Sequence, residues 1–504
     1  MHAPVTGPAP RRITTLHGAR GDGSPPLIRF ASGPVTTARY PPVRLSVPFD
    51  SLQRPTRPLD IAIVGSGIAG MSAAWLLSQG HRVTVYEKEG RVGGHSHTVE
   101  APSRAGGAAI PVDMGFIVYN EANYPNLVAL FDHLGVATKQ SDMSFGVSLD
   151  GGGLEYSSNS ALSLFAQKRN LLSPRFWSML ADLVRFYREA PAHCAGLDRR
   201  MTSLGDYLCE QGYGRAFQDD HLLPQAAAIW STSAKGIRDF PAAAFIRFCQ
   251  NHGLLKLAGR PQWRTVDGGS RAYVRKLTAA YVDRIRTGRA VRSIRRHAEG
   301  VDILDIQGAV RRFDQVVIAA HADEALGLLD DATAPERALL GAFRYTPNRA
   351  VLHTDQRLMP RRRNCWSSWN YVGRRPDAQD ETGDLSVTYW MNRLQLLPEH
   401  TPLFVTLNPG QEPAPGSVVH EETYQHPLFD AAAIRAQRRL WSLQGVNRTW
   451  YCGAYFGSGF HEDGLQAGLA AAEALGGLRR PWSVEGESSR IHLEAADPQL
   501  EPAA

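Results

Sequence analysis

The sequence predicts an α/β fold in which a parallel sheet, assembled from three separated stretches of chain, is interrupted by an inserted α+β domain. Three observations predict it. Residues 61–94 form a glycine-rich strand–turn–helix–strand unit, and buried-strand patterns return at 263–330 and again at 449–477. At 504 residues the chain is too long for one core, and its balance of 43% apolar and 21% charged residues is that of a soluble globular protein.

Residues 1–58 carry eight arginines against two acids and hold 11 of the 32 prolines, with no sustained period. They are read as a disordered basic extension. Three roles are weighed for it: a functionless extension, an arm touching anionic lipid, and an arginine-rich targeting segment. The rest of the chain balances 47 basic against 47 acidic residues, so nothing in the body reads as a nucleic-acid surface. No apolar run is long enough to span a bilayer. Five scattered cysteines without a CxxC pair support neither a disulfide framework nor a structural zinc site, so no metal is expected and a reducing cytoplasm is the expected location.

An apolar strand, Ile61 to Val64, runs into Gly65-Ser66-Gly67-Ile68-Ala69-Gly70. A helix from Met71 to Gln79 and a second strand, Val83 to Tyr86, follow. In such a Rossmann-type unit Gly65 permits the tight turn, Gly67 lets backbone approach a pyrophosphate, and Gly70 allows close packing of helix on strand. The helix start offers free N–H groups to phosphate. Glu87, 22 residues after Gly65, stands where a carboxylate accepts from an adenosine ribose. Past it lies Lys88-Glu89-Gly90-Arg91-Val92-Gly93-Gly94-His95, whose second glycine pair resembles the extension of FAD-binding oxidoreductases. There the chain wraps the pyrophosphate from its other side, and Arg91 neutralises charge.

The first insert, about 101–262, carries helix-period apolar residues at Tyr124–Leu134, Pro174–Ala190 and Ser203–Gln211. At 263–330 the first pattern resumes. A helix is expected from about Tyr273 to Val282, a strand over Ala290-Val291-Arg292-Ser293-Ile294 with Val291 counted as cofactor-binding, and a buried parallel strand over Phe313–Ala320. The second insert, 331–445, holds strands such as Ala350–Thr354 and Leu385–Met391 around a polar loop at 373–384. A strand then enters a glycine-rich turn, Gly453 to Gly464, before a small-residue helix from Leu469 to Leu475. The expected FAD-binding domain is thus 59–100, 263–330 and 446–478. The substrate domain is 101–262 and 331–445, and residues 479–504 are read as a flexible tail.

With the first fingerprint, the stretch Trp450 to Gly468 resembles the FAD-dependent amine oxidoreductase superfamily, which includes monoamine oxidases, protoporphyrinogen oxidase and phytoene desaturases. The marks Asp113 to Asn120, Trp366 to Tyr371 and Gly459-Phe460-His461-Glu462-Asp463-Gly464 resemble bacterial NAD/FAD-binding proteins associated with cyclopropane and furan fatty acid genes. The resemblance implies noncovalent FAD, a final helix whose N–H groups at Asp463, Gly464 and Leu465 face the flavin pyrimidine edge, and Gly453 at the strand end. It also implies an acid after that glycine, where this chain has Ala454, and Glu462 is offered as its substitute.

The implied reaction is dehydrogenation, with hydride passing from substrate carbon to flavin N5. The expected substrate is hydrophobic, a lipid acyl chain, with the electron acceptor left open. The alternatives are an amine or amino-acid oxidase and a flavin-bound accessory protein of a fatty-acid-modifying system. Phe460 stands in place of one cage tyrosine of the amine oxidases. His461 is the candidate proton acceptor, or else a structural residue holding the turn, and His353 has a weaker claim. No lysine lies in the second insert, which leaves Lys256 for any flavin-side amine. Trp366, Trp369, Tyr371, Tyr389 and Trp390 either line a tunnel, with Trp369 at the site, or pack a sheet. Lys168, Arg169, Arg175, Arg185 and Arg188, interleaved with apolar residues, read as a solvated cap helix or as a peripheral membrane contact.

Overall fold

A computed structural model describes residues 57–230, 234–256, 259–375 and 386–493. In chain order, β1 (Asp60–Val64), α1 (Ile68–Leu77) and β2 (Arg82–Tyr86) form the opening unit. The first insert supplies α2 (Pro125–Leu134), β3 (Phe145–Leu149), β4 (Leu154–Ser157), α3 (Pro174–Arg200) and α4 (Ala242–Asn251). The chain returns with α5 (Arg271–Thr278), β5 (Ile285–Arg286), β6 (Val291–His297) and β7 (Gln315–Ile318). The second insert contributes β8 (Arg344–His353), β9 (Trp369–Gly373), β10 (Ser386–Trp390), β11 (Phe404–Leu407) and β12 (Val418–Leu428). Finally come β13 (Thr449–Tyr451) and α6 (His461–Gly476).

The five-stranded sheet runs β5-β2-β1-β7-β13, all parallel, with Ile63 paired to both Val85 and Val317. Covered on both faces, β1 can be apolar throughout, and Ile61 to Val64 are buried. The sheet is therefore discontinuous in sequence, as a Rossmann-type domain carrying inserts requires. α1 and α6 lie against each other at small residues: a Cβ on Gly468 would fall 2.2 Å from the Ala69 carbonyl oxygen. The second sheet, β12-β8-β11-β10-β9-β3-β4, has its own apolar core and is antiparallel except at β9–β3. Among the described residues no helix is long and apolar enough to cross a membrane.

Three elements differ from the sequence expectation. The first insert, read as mostly helical, also gives β3 and β4 to the large sheet: the two form a hairpin, and β3 pairs with β9 more than 200 residues away. The last helix begins at His461 rather than Leu469, because Gly459 (φ +91°) turns the chain and the Asp463 carboxylate caps the backbone amide of Phe460 at 2.8 Å. Residues 479–493, expected as flexible tail, pack down. Arg480 is buried and makes a bidentate pair with Glu473 (2.7 and 2.8 Å), and Trp482 stacks on Trp75 at 5.7 Å. Three arginines (Arg479, Arg480 and Arg490) and one tryptophan anchor a stretch whose average composition looks unstructured. Residues 1–56, most of the expected extension, lie outside the described residues; Arg57 pairs with Asp314 at 2.9 Å.

Candidate active site

The turn between β1 and α1 is fixed by contacts that admit only glycine. Gly65 adopts φ +99°, and a Cβ there would lie 2.7 Å from the Ala319 carbonyl oxygen. A Cβ on Gly70 would fall 2.0 Å from the Gly65 carbonyl oxygen. Gly67 is different: nothing stands within 4 Å of its Cβ position, so this edge of the loop is open where a pyrophosphate would approach. The second glycine pair closes over the same loop. Gly93 N–H donates to the Ser66 carbonyl at 3.1 Å, and a Cβ on Gly94 would lie 3.1 Å from Gly67 Cα. Arg91 braces this turn through the Gly94 carbonyl (2.7 Å), holding its charge beside the cradle.

Ile68 and Ala69 begin α1, whose first turn carries no acid, leaving its N–H groups and positive dipole end for an anion. Glu87 is buried at the end of β2 and accepts from the Ser66 amide (2.9 Å), the Ser66 hydroxyl and the Glu89 amide (2.9 Å). One lone pair on Oε1 stays available to a ribose hydroxyl. Arg289 N–H donates to the Glu87 carbonyl at 2.9 Å, which sets Val291, at the start of β6, next to this corner. Lys88 does not join the cradle, because its ammonium reaches outward to Glu324 at 2.7 Å.

The start of α6 converges on the same cleft. A Cβ on Gly464 would lie 2.9 Å from Ile68 Cγ2, so the N-termini of α1 and α6 lie side by side. The free amides here differ from those expected. Gly464 N–H is spent on the Phe460 carbonyl (3.1 Å) and Leu465 lies deeper in the helix, so His461, Glu462 and Asp463 carry the unpaired N–H groups. Glu462 does not replace the acid missing at Ala454: its carboxylate is buried and accepts from the amides of Asn126 (3.1 Å) and Leu127 (3.0 Å), capping α2. The Asp463 carboxylate is likewise buried, held by the Ser458 and Phe460 amides and by Arg490. Gly453 closes β13, with the Tyr455 ring against its Cα.

His461 sits on the cleft wall with its ring stacked on Phe116 (3.8 Å between centroids) and Nε2 hydrogen-bonded to the Tyr273 hydroxyl at 2.7 Å, which itself meets Ser96. Burial pulls its pKa down to about 3. An imidazole so poised is a poor proton acceptor near neutrality, and its contacts are those of a residue holding the turn. Phe460 stacks on Phe248 of α4 at 4.7 Å and leans on His252 at 5.5 Å. Trp369 contacts neither; its ring meets Tyr389 edge-on at 5.1 Å in the core of the large sheet. The five aromatics split between two clusters, because Trp366 and Trp390 pack with Phe404 instead, so together they form no single tunnel. His353 is fully buried and bonded to Thr406 (2.7 Å), and Lys256 is exposed.

One feature of the cleft went unread in sequence. Along β12 the alternate residues His420, Glu422, Tyr424 and His426 meet the chain past Gly94: Tyr424 hydroxyl bonds His97 Nδ1 (3.0 Å), and His95 stacks between Tyr424 (4.9 Å) and His426 (5.7 Å). The period-2 pattern HxExYxH was the available signal. Burial drives His97 and His426 down to about 4, so these imidazoles are neutral at pH 7. The ligating atoms of His97, His420 and Glu422 lie within 4.8 Å of one another, and Tyr424 and Arg91 already supply partners there.

A sequence model described as flavin containing amine oxidoreductase matches residues 68–363, more than half of the chain. The chain belongs to that family. A protein assigned as a flavin-containing monoamine oxidase, AofH of Mycobacterium tuberculosis, is 26% identical over 299 residues, which is 57% of this chain and 62% of that protein. The chain thus matches less than two thirds of that relative's length. Among solved structures, a putrescine oxidase double mutant superposes with a TM-score of 0.59 at 15% identity, covering 84% of this chain and all of that one. A conjugated-linoleic-acid-producing fatty acid isomerase from P. acnes does so with a TM-score of 0.56 at 17% identity, covering 85% and 99%. At such identities these two likenesses establish the fold.

The family is one of flavin-containing proteins, and the geometry fits FAD: an open Gly67 edge, a clamped second glycine pair, a buried acid at Glu87 and two converging helix starts. Cys452, the cysteine nearest this turn in sequence, is fully buried, and burial pushes its thiol up to about 12, the setting of an unreactive core cysteine.

Proposed function

We propose that the protein dehydrogenates a hydrophobic substrate of lipid acyl type. The observation that carries this reading is the uncharged aromatic wall beside the α6 start: Phe460, Phe248, His252 and Phe116. Burial holds His252 near pKa 3, so it is neutral at working pH. The ion pair beside this wall, Arg490 with Asp463 (3.3 Å), is internally balanced, and the Arg490 field lowers His252 further. Lys88, Lys168, Lys256 and Lys276 are exposed, and Lys139 pairs with Asp267 (3.1 Å). The fatty acid isomerase among the structural neighbours supports an acyl chain on this fold.

Bound FAD supplies a two-electron acceptor for a hydride leaving a substrate carbon. Gly67, Gly94 and the α1 start would hold its phosphates and Glu87 its ribose, and the amides of His461 to Asp463 would offer donors for negative charge on the flavin. Tyr273, Ser96 and Phe116 fix His461 so that this helix start stays aimed. Because the cleft imidazoles resist protonation, the substrate proton leaves to water rather than to His461 Nε2.

Monoamine oxidation is the second reading, favoured by the AofH relative and the putrescine oxidase likeness. Anaerobic mixing separates the two. Loss of oxidised-flavin absorbance with unsaturated or methyl-branched phospholipid, and none with a panel of amines, is the expected result. Bleaching by amines alone would replace the proposal with the second reading.

A further inference from the structure

Five of the large apolar side chains exposed among the described residues fall within one short stretch. Leu162 is 87% exposed, Leu172 88%, Leu171 48% and Trp177 49%, with Val184 two helical turns beyond Trp177 on the same face of α3. The Trp177 indole donates to the Leu171 carbonyl (2.9 Å), and Phe165 meets Trp177 at 5.6 Å, so the start of α3 and the turn before it form one exposed apolar tip. Singly exposed apolar residues are ordinary, but a contiguous set at an exposed turn is not.

Beside the tip lies a recess of about 260 Å³ lined by Arg169, Arg175, Arg375, Ser173 and Asp220. Asp220 is buried and holds Arg175 (2.7 and 3.0 Å) and Arg375 (2.6 Å), and Arg375 also reaches Asp150. Arg169 and the neighbouring Lys168 have no ion-pair partner among the described residues. The recess therefore keeps surplus positive charge next to an apolar tip. The other two cations of this region are engaged: Arg185 lies over Tyr213, and Arg188 pairs with Glu189.

We propose that this tip docks on an anionic phospholipid bilayer, with Leu162, Leu171, Leu172 and Trp177 entering the acyl boundary and a lipid phosphate seated among Arg169, Arg175 and Arg375. Apolar side chains at the end of a surface helix, an indole at interfacial depth and an adjacent cationic recess are what peripheral insertion requires. The proposal stands whichever substrate is oxidised, since vesicle binding is measured without turnover.

The test is co-sedimentation of the full flavin-bound chain with vesicles of phosphatidylcholine alone and of phosphatidylcholine with 30 mol% phosphatidylglycerol. The expected result is binding to the anionic vesicles, little to the neutral ones, and a loss in 0.5 M NaCl. Leu162→Asp with Leu172→Asp should lower anionic-vesicle binding at least tenfold, and Arg169→Glu should lower it severalfold while Arg169→Lys keeps it. All these side chains are exposed, so flavin content and thermal midpoint should not change. The basic residues 1–58 are present in every variant, and differences between variants therefore report on the tip. Wild-type binding that the double substitution leaves unchanged would overturn the proposal, as would the absence of binding to anionic vesicles. Conversion of a dimer to a monomer by the same substitutions, with vesicle binding unaltered, would assign the tip to a second copy of the chain instead.

Discussion

Two glycine-rich turns converge on the cleft, and they are held in opposite ways. The turn at Gly65–Gly70 is a backbone device: positive φ, carbonyl contacts that exclude a Cβ, and a local acid at Glu87. The turn at Gly453–Gly464 leads into α6 and is held by side chains from far along the chain. Asp463 meets Arg490, Glu462 caps α2, and His461 is fixed by Tyr273 and Phe116. A turn made by backbone sterics is specified by its own few residues. A turn made by side-chain partners is specified only once the whole fold has assembled.

The sharpest way to break the comparison is to add one methyl group to each side of the first turn. Gly70→Ala drives a Cβ into a carbonyl, so a cost above about 4 kcal/mol and loss of folded, flavin-bearing protein are expected from thermal melts. Gly67→Ala meets no protein atom, so a folded chain with sharply reduced FAD is expected instead.

Next in size is the buried Arg480–Glu473 pair. Arg480→Ala leaves the buried Glu473 carboxylate, at the C-terminal end of α6, with only the more exposed Arg479 (2.7 Å) as a cation, with an expected cost of about 3 kcal/mol in denaturant unfolding. A change below about 1 kcal/mol would return residues 479–493 to the status of a loose tail.

Acid should weaken the folded chain, because many of its buried histidines resist protonation. His97, His221, His353 and His426 are lowered to about 4, and His252 and His461 to about 3. Between pH 6.5 and 4 the unfolded chain binds protons that the folded one refuses, so stability falls as pH falls through that window. The slope is about 1.4 kcal/mol per pH unit for each proton of difference. Asp113, raised by burial to about 6, acts in the opposite sense below that pH, one carboxyl against several imidazoles. A thermal midpoint that is flat from pH 7 to 5 would contradict neutral, buried histidines.

Smaller effects test α6 directly. Glu462→Ala strips a cap from α2 and should cost about 1–3 kcal/mol while flavin content is kept, whereas a flavin-binding Glu462 would lose the cofactor first. Tyr273→Phe removes one hydrogen bond to His461, for about 1 kcal/mol in the thermal melt.

The nucleotide half was legible because its signals are local. Strand, Gly65–Gly70, helix and Glu87 lie within 30 residues, and the α/β class with its discontinuous sheet follows from their recurrence. The α6 side was legible as a place but not as an arrangement. Nothing near Glu462 announces that its partners are Asn126 and Leu127, and the helix start at His461 depends on Asp463 folding back on Phe460. β12 was missed for a similar reason: its polar alternation reads as loop until β8 pairs with it along almost its full length. The aromatic strands misled in the other direction, because β10 alternates faces and sends Tyr389 and Trp390 to opposite cores.

The most direct test of the central claim, that FAD is held noncovalently between two converging helix starts, is the flavin content of the purified chain before and after acid precipitation. The account predicts one FAD per chain, released entirely into the supernatant as free FAD. Flavin that stays with the precipitated protein, or a chain that binds none when supplied with FAD, would contradict it.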